Sequence, residues 1–249
     1  MSIIEIDNLS YRYPDGTIGL DGVDLEVERG TLVVITGPNG SGKTTLLKQL
    51  NGLLLPQTGT VTIDGKEVVR DLRRARQLVG MIFQDADNQI VGETVAADVA
   101  FGPENLRLPP KEIAVRVIDS LQSIGLSSLS EQSPYSLSGG EKRRLSIAAV
   151  LAMNPEIMVF DEPFASLDYK GTRQVLKEML RLQEAGKTIL ITTHDLEKIF
   201  HHADRLIIMK DGRIVRDGIP DQIIKDVEEF GVREPFASRH GLVVGSWLD

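Results

Sequence analysis

The feature that most restricts the fold of this chain is a glycine-rich octapeptide, Gly37-Pro38-Asn39-Gly40-Ser41-Gly42-Lys43-Thr44. It follows the β-branched run Thr31-Leu32-Val33-Val34-Ile35-Thr36, which fits a buried strand. It leads into Thr44 to Leu54, which reads as a helix. Strand, loop and helix together fit the phosphate-binding pattern G-x-x-x-x-G-K-[ST]. Glycines let successive backbone N–H groups turn inward on an anion. The helix start aims roughly half a positive charge at the same point. Lys43 supplies a mobile full charge for the β- and γ-phosphates, and the Thr44 hydroxyl can ligate Mg²⁺. The expected phosphate-binding set is Gly37, Asn39, Gly40, Ser41, Gly42, Lys43, Thr44 and Thr45. A chance match in a chain of this size is on the order of 1%.

A second signal is Ile157-Met158-Val159-Phe160-Asp161-Glu162, an apolar run ending in two acids. A buried strand delivers its last residues to the carboxyl edge of the sheet, where open α/β sheets bind ligands. Asp161 is expected to hold Mg²⁺ through water, and Glu162, one residue farther out, to polarise an attacking water. Four apolar residues before an Asp are common, so this signal gains its weight from the octapeptide.

The remaining chain is consistent with one unit of 249 residues. Residues 1–84 and 156–228 carry the strand-rich and α/β pattern. Val23-Asp24-Leu25-Glu26-Val27 alternates with period two, and Leu78 to Phe83, Thr188 to Thr192 and Leu206 to Met209 read as strands. Asp64-Gly65 and Asp211-Gly212 mark hairpin turns. Gly171 to Ala185 reads as a helix. Strands alternating with helices imply a largely parallel sheet. Residues 85–155 differ: Pro103, Pro109, Pro110 and Pro134 punctuate them, and Ile113 to Ile124 has helical spacing, as in an inserted helical lobe. Residues 229–249 carry no usable signal. His201-His202 reads as a solvated face, since adjacent helical residues point apart and no third ligand clusters with them.

Hydrophobic residues at 41% and charged residues at 26% suit a folded core. There is no cysteine, which excludes disulfides and thiolate metal sites. The net charge of -8 argues against nucleic acid as a partner, because phosphate contacts favour basic faces. The start MSIIEIDNLSYRYPDG shows no signal peptide, and no stretch approaches the ~20 apolar residues of a membrane span. If the chain works at a membrane, it docks on another chain that spans it.

Leu137-Ser138-Gly139-Gly140-Glu141 opens an apparent helix, with Ser138 as a good N-cap and two glycines that permit close backbone approach. With the octapeptide, it resembles the signature motif of ATP-binding-cassette (ABC) ATPases, and the match in motif order extends from Tyr13 to His194. That resemblance implies an α/β fold: a RecA-like P-loop core, an antiparallel β subdomain and an inserted helical subdomain. It implies ATP and Mg²⁺ as ligands and ATP hydrolysis as the activity. Gln84 resembles the family's Q-loop glutamine, which contacts Mg²⁺ and the nucleophilic water. His194 resembles the switch histidine, and Asp168 in Ser166-Leu167-Asp168 resembles the D-loop aspartate that crosses to a partner. Tyr13 resembles the aromatic on which adenine stacks, with Tyr11 as its rival. By the same resemblance, Ser138, Gly139 and Gly140 bind the nucleotide of a second ATPase subunit.

Phe83-Gln84-Asp85-Ala86-Asp87-Asn88-Gln89-Ile90 and Phe101-Gly102-Pro103 are similar to segments of energy-coupling-factor importer ATPases, including the cobalt and nickel systems, although that group carries Asn-Pro where this chain has Asp85-Ala86. This likeness implies a homo- or heterodimer on the cytoplasmic face of the cell membrane. Its expected partners are a transmembrane coupling protein and a small substrate-binding membrane subunit, with transition-metal ions or vitamins as cargo. An ABC ATPase acting on nucleic acid or ribosomes is the alternative reading. The intact Glu162 and His194 oppose a third, a cassette that binds ATP without hydrolysing it.

Overall fold

The computed structural model describes residues 1–248. Its strands are β1 (Ser2–Arg12), β2 (Ile18–Glu28), β3 (Leu32–Thr36), β4 (Thr58–Ile63), β5 (Lys66–Glu67), β6 (Val79–Ile82), β7 (Ile157–Asp161), β8 (Thr188–Thr192), β9 (Arg205–Lys210) and β10 (Arg213–Gly218). The main helices are α1 (Lys43–Leu50), α2 (Leu72–Leu78), α3 (Val95–Asn105), α4 (Pro110–Ser123), α5 (Gly139–Leu151) and α6 (Tyr169–Glu184).

Two sheets result. The larger has the order β10-β9-β3-β8-β7-β6, and the smaller has the order β2-β1-β4-β5. From β9 through β6 every neighbouring pair is parallel, and β10 adds an antiparallel edge. The smaller sheet is antiparallel throughout.

Strands β3, β6, β7 and β8 are buried on both faces, which explains their apolar runs. In β3, Leu32 and Val34 enter one core while Val33 and Ile35 enter the other. In β7, Met158 and Phe160 divide from Ile157 and Val159 in the same way. The second core also takes Leu46, Leu47 and Leu50 of α1 and the inward residues of β1, β2 and β4, so α1 is clamped between the sheets. The first core takes α3 to α6, including Val99, Leu121, Leu145 and Leu176. Helices α3, α4 and α5 fall between β6 and β7.

Asp64-Gly65 and Asp211-Gly212 make the two-residue turns of their hairpins, all four at positive φ. That backbone matches the twist of the flanking strands. Several element boundaries differ from the sequence reading by a few residues, and three departures have a clear physical cause. Helix α1 ends at Leu50 rather than Leu54, because Gly52 stands at φ +67° and stops the spiral in the left-handed region. The strand expected from Leu78 begins at Val79, since Leu78 closes α2, a helix that Asp71 caps by accepting the Arg74 N–H at 3.0 Å. His201 and His202 are not simply solvated. The His201 ring nitrogen Nδ1 lies 2.8 Å from the Val244 carbonyl oxygen, and His202 Nε2 lies 3.0 Å from Ser246 Oγ. They pin the C-terminal segment, whose Trp247 packs at 5.6 Å from the Tyr169 ring at the start of α6.

Candidate nucleotide site

Parallel strands bring their carboxyl ends to one edge, and a cleft of about 380 Å³ opens there. Its walls are the loop after β3, the ends of β6, β7 and β8, and the β1–β2 turn. Tyr13, Asn39, Gly40, Ser41, Gly42, Lys43, Thr44, Thr45, Gln84, Asp161, Glu162 and His194 all line it. Thr17, Ile18 and Gly19 complete the wall beside Tyr13.

The octapeptide is held by packing as well as by its own turns. A Cβ on Gly42 would meet the Gly19 carbonyl oxygen at 2.4 Å, and one on Gly37 would meet that of Met209 at 2.1 Å. Both residues also have positive φ. Glycine is therefore required where the loop presses against β2 and β9. Gly37 itself does not line the cleft. Its carbonyl instead accepts from Lys43 Nζ at 2.8 Å.

Lys43 donates further to Pro38 O at 2.9 Å and Ser41 Oγ at 3.4 Å, so the loop is wrapped around its ammonium. Burial pulls the Lys43 pKa below the ordinary lysine value, and the carboxylates of Glu162 and Asp161 oppose that fall. The result is a largely desolvated cation held by two loop carbonyls and the Ser41 hydroxyl. A triphosphate fits this chemistry, since it brings the negative charge that the loop lacks.

The oxygen donors lie next to it. Thr44 Oγ1 donates to Asp161 Oδ2 at 2.8 Å, and Thr192 Oγ1 donates to Asp161 Oδ1 at 2.5 Å. Because the Thr44 proton goes to Asp161, the hydroxyl lone pairs stay free for a cation. A hydroxyl and a carboxylate are the hard donors that Mg²⁺ takes beside phosphate oxygens. The donor set fits that ion.

Glu162 stands at φ +49°, a left-handed backbone that costs a non-glycine residue about 1 kcal/mol or more. Its N–H is fixed by Thr192, whose carbonyl accepts at 3.0 Å and whose hydroxyl lies at 3.3 Å. Its carboxylate accepts from Thr193 Oγ1 at 3.2 Å and from the His194 backbone N–H at 3.1 Å. His194 Nδ1 lies 2.8 Å from the same oxygen, Oε1. A carboxylate oxygen only accepts, so Nδ1 carries the hydrogen and Nε2 is left for another partner. The arrangement puts a carboxylate and an imidazole in the same cleft as Lys43.

Tyr13 stands at the cleft mouth with its hydroxyl 2.9 Å from Thr45 Oγ1. Tyr11 meets it edge-on at 5.1 Å but packs against the core behind the smaller sheet. Of the two aromatics, Tyr13 is the one that borders the cleft.

Besides Gly37, four expected binding residues lie outside the cleft. Ser138 caps α5 in a full capping box, accepting the Glu141 N–H at 3.3 Å while Glu141 Oε2 accepts the Ser138 N–H at 2.8 Å. Gly139 and Gly140 follow it into the helix. Asp168 caps α6 by accepting the Gly171 N–H at 2.7 Å. Thr192 and Thr193 are additions that the sequence reading missed as site residues. Their signal was available: two adjacent hydroxyl residues at the end of the Ile189-Leu190-Ile191 run, just before His194.

Comparison with known proteins places the arrangement in context. The family model described as ABC transporter matches residues 20–165. A curated relative, the energy-coupling factor transporter ATP-binding protein EcfA of Methanothermobacter thermautotrophicus, is 45% identical over 229 residues, covering 91% of this chain and 74% of its own length. The solved structure of cbiO1 from Clostridium perfringens, described as part of the ABC transporter complex cbiONQ, superposes with a TM-score of 0.81 at 36% identity, covering 92% of each chain. The ATP-binding cassette MJ0796, solved as a dimer in a post-hydrolysis state bound to ADP and Pi, gives 0.80 at 30% identity, covering 87% of this chain and 98% of that one.

Proposed function

The chain belongs to the ABC transporter family of ATPases, and from that premise we propose that it is the ATP-hydrolysing subunit of an energy-coupling-factor importer, working as one half of an ATPase dimer. Its relatives named for that transporter class support the first part. The observation that carries the second is the pair Gly139-Gly140. A Cβ on Gly139 would meet nothing within 4 Å, and one on Gly140 would make only ordinary contacts at 3.7 Å. Neither residue has positive φ. Glycine is a poorer helix former than alanine, so helix propensity does not explain the pair at the start of α5. Nothing among the described residues requires glycine at these two positions, and a phosphate drawn close to the backbone by a second subunit's nucleotide would.

In this reading Lys43 and the loop N–H groups hold the β- and γ-phosphates, and Tyr13 stacks on the adenine. Thr44 and Asp161 would hold Mg²⁺, which would offset phosphate charge. Gln84, just beyond β6, lines the same cleft and would contact the ion and the attacking water. Glu162 polarises the attacking water, and His194 reaches the γ-phosphate through Nε2. Ser138, Gly139 and Gly140 of the partner close over the triphosphate, and Asp168 crosses to it. Positioning and electrostatics dominate such chemistry. ATP joins the two subunits and hydrolysis separates them.

No helix among the described residues is long and apolar enough to cross a membrane. The proposed location is peripheral, on the cytoplasmic face, docked on a transmembrane coupling protein that also binds a small substrate-recognising membrane subunit. Transition-metal ions or vitamins are the proposed cargo. Affinity purification of the tagged chain from detergent-solubilised membranes tests this. A multi-span protein and a second ATPase chain should co-purify. Recovery with ribosomes or nucleic acid, and without membrane protein, would replace the proposal with the alternative reading.

A further inference from the structure

Arg143 is 2% exposed, and among the described residues its guanidinium bonds no carboxylate. Among the described residues it donates to main-chain carbonyls: those of Asp161 and Glu162 at 2.6 Å each, that of Pro163 at 3.4 Å, and that of Phe83. Burial pushes its pKa down to about 10, which leaves it charged at neutral pH.

The identity of those carbonyls is informative. The Asp161 and Glu162 carbonyls belong to the two peptide units that flank Glu162. The Phe83 carbonyl belongs to the unit that precedes Gln84. A planar fork with five donors can bridge β6 and β7 in this way, whereas a point-charge ammonium cannot. Glu162 needs such support, because its φ of +49° is unfavourable for a glutamate. Thr192 holds the amide side of the residue, and Arg143 holds the carbonyl side. The guanidinium comes from α5, five residues beyond Ser138 and on the helix that begins with the signature turn.

We propose that Arg143 is a positioning residue that holds Glu162 and Gln84 in register for hydrolysis and ties that register to the orientation of helix α5. The inference rests on the site reading above and adds a regulatory link to it. The turn at Ser138 engages the partner's nucleotide, and the same rigid helix sets the catalytic geometry of its own subunit. Movement of α5 in one site is thereby felt by the glutamate of the other.

The test uses Arg143→Met and Arg143→Lys in the full chain, with Glu162→Gln as reference. Nucleotide affinity is measured by calorimetry, kcat and KM by phosphate release, and folding by circular dichroism and thermal melting. ATP affinity and KM should stay within about threefold, because no phosphate-binding residue touches Arg143. The Arg143→Met kcat should fall by about tenfold or more, as expected for a displaced catalytic group. Arg143→Lys should recover part of that loss. The double variant with Glu162→Gln should lose no more than Glu162→Gln alone.

A lowered melting temperature with unchanged kcat per folded molecule would make Arg143 a structural bolt and overturn the inference. If Arg143→Met does not fold, Arg143→Lys decides, and wild-type kcat there has the same consequence. Normal turnover in Glu162→Gln would defeat the site reading and this inference together. An inactive Glu162→Gln beside normal Arg143 variants would defeat the inference alone.

Discussion

His194 and Glu162 are joined twice through one atom: Glu162 Oε1 accepts the His194 backbone N–H at 3.1 Å, and Nδ1 of the ring lies 2.8 Å away. The imidazole is thereby fixed in tautomer and orientation. Glu162→Gln should bind ATP normally, lower turnover by about 10²-fold or more, and accumulate an ATP-bound dimer on size exclusion. His194→Ala should also lower kcat with little change in ATP affinity, since the main-chain link to Glu162 survives. Phosphate-release kinetics with calorimetry on both variants measures this. Near-normal rates would remove the pair from the reaction.

Lys43→Ala should weaken ATP binding by at least about tenfold and abolish the rise in melting temperature that ATP produces. The apo protein should lose little stability. Burial lowers the Lys43 pKa beneath its unfolded value of 10.5, so the unfolded chain binds this proton more firmly. The buried charge therefore costs stability at neutral pH, and that cost fades as pH rises through the folded pKa towards 10.5. Removing it offsets the loss of three hydrogen bonds.

Tyr13→Ala should weaken ATP by about three- to tenfold through lost stacking, with inorganic triphosphate affinity unchanged. Tyr13→Phe should bind ATP nearly as the parent does, because only the hydroxyl contact with Thr45 is lost. Equal effects on ATP and triphosphate would mean that the ring supports the loop rather than the base.

The Glu141 carboxylate is held below the ordinary glutamate pKa, chiefly by the Ser138 hydroxyl and then by the Ser138 N–H. A depressed carboxylate contributes its stabilisation fully above the unfolded pKa of 4.5 and loses it as pH falls through the folded value. Amide protection at the start of α5 should therefore fall as pH drops below 4.5. Glu141→Gln, which can still complete the box, should show no such titration. Hydrogen exchange followed by NMR across that range reads the difference.

Trp247 is the chain's one tryptophan, which makes its fluorescence a reporter of the C-terminal segment. Arg173 donates to the Trp247 and Leu248 carbonyls at 3.1 and 2.5 Å, and Lys198 lies over the indole at 5.9 Å. Arg173→Ala should release the segment, giving red-shifted emission and readier iodide quenching at unchanged far-UV circular dichroism. Unaltered emission would show that His201 and His202 suffice to hold it.

Local chemistry was enough to identify much of this protein from its residues. The octapeptide, the acids closing β7, the Asp-Gly turns and the Ser138 cap each act within a few residues, so their types and spacing carry their meaning. The alternating inward residues of β3 and β7 also follow from order alone. Tertiary structure decided what depends on neighbours distant in the chain. Gly37 and Gly42 are fixed by the carbonyls of Met209 and Gly19. His201 and His202 hold residues more than forty positions away. Arg143 spends its donors on backbone carbonyls, which every residue possesses and no sequence pattern marks. Only the packing of α5 against the ends of β6 and β7 could show where that charge is buried.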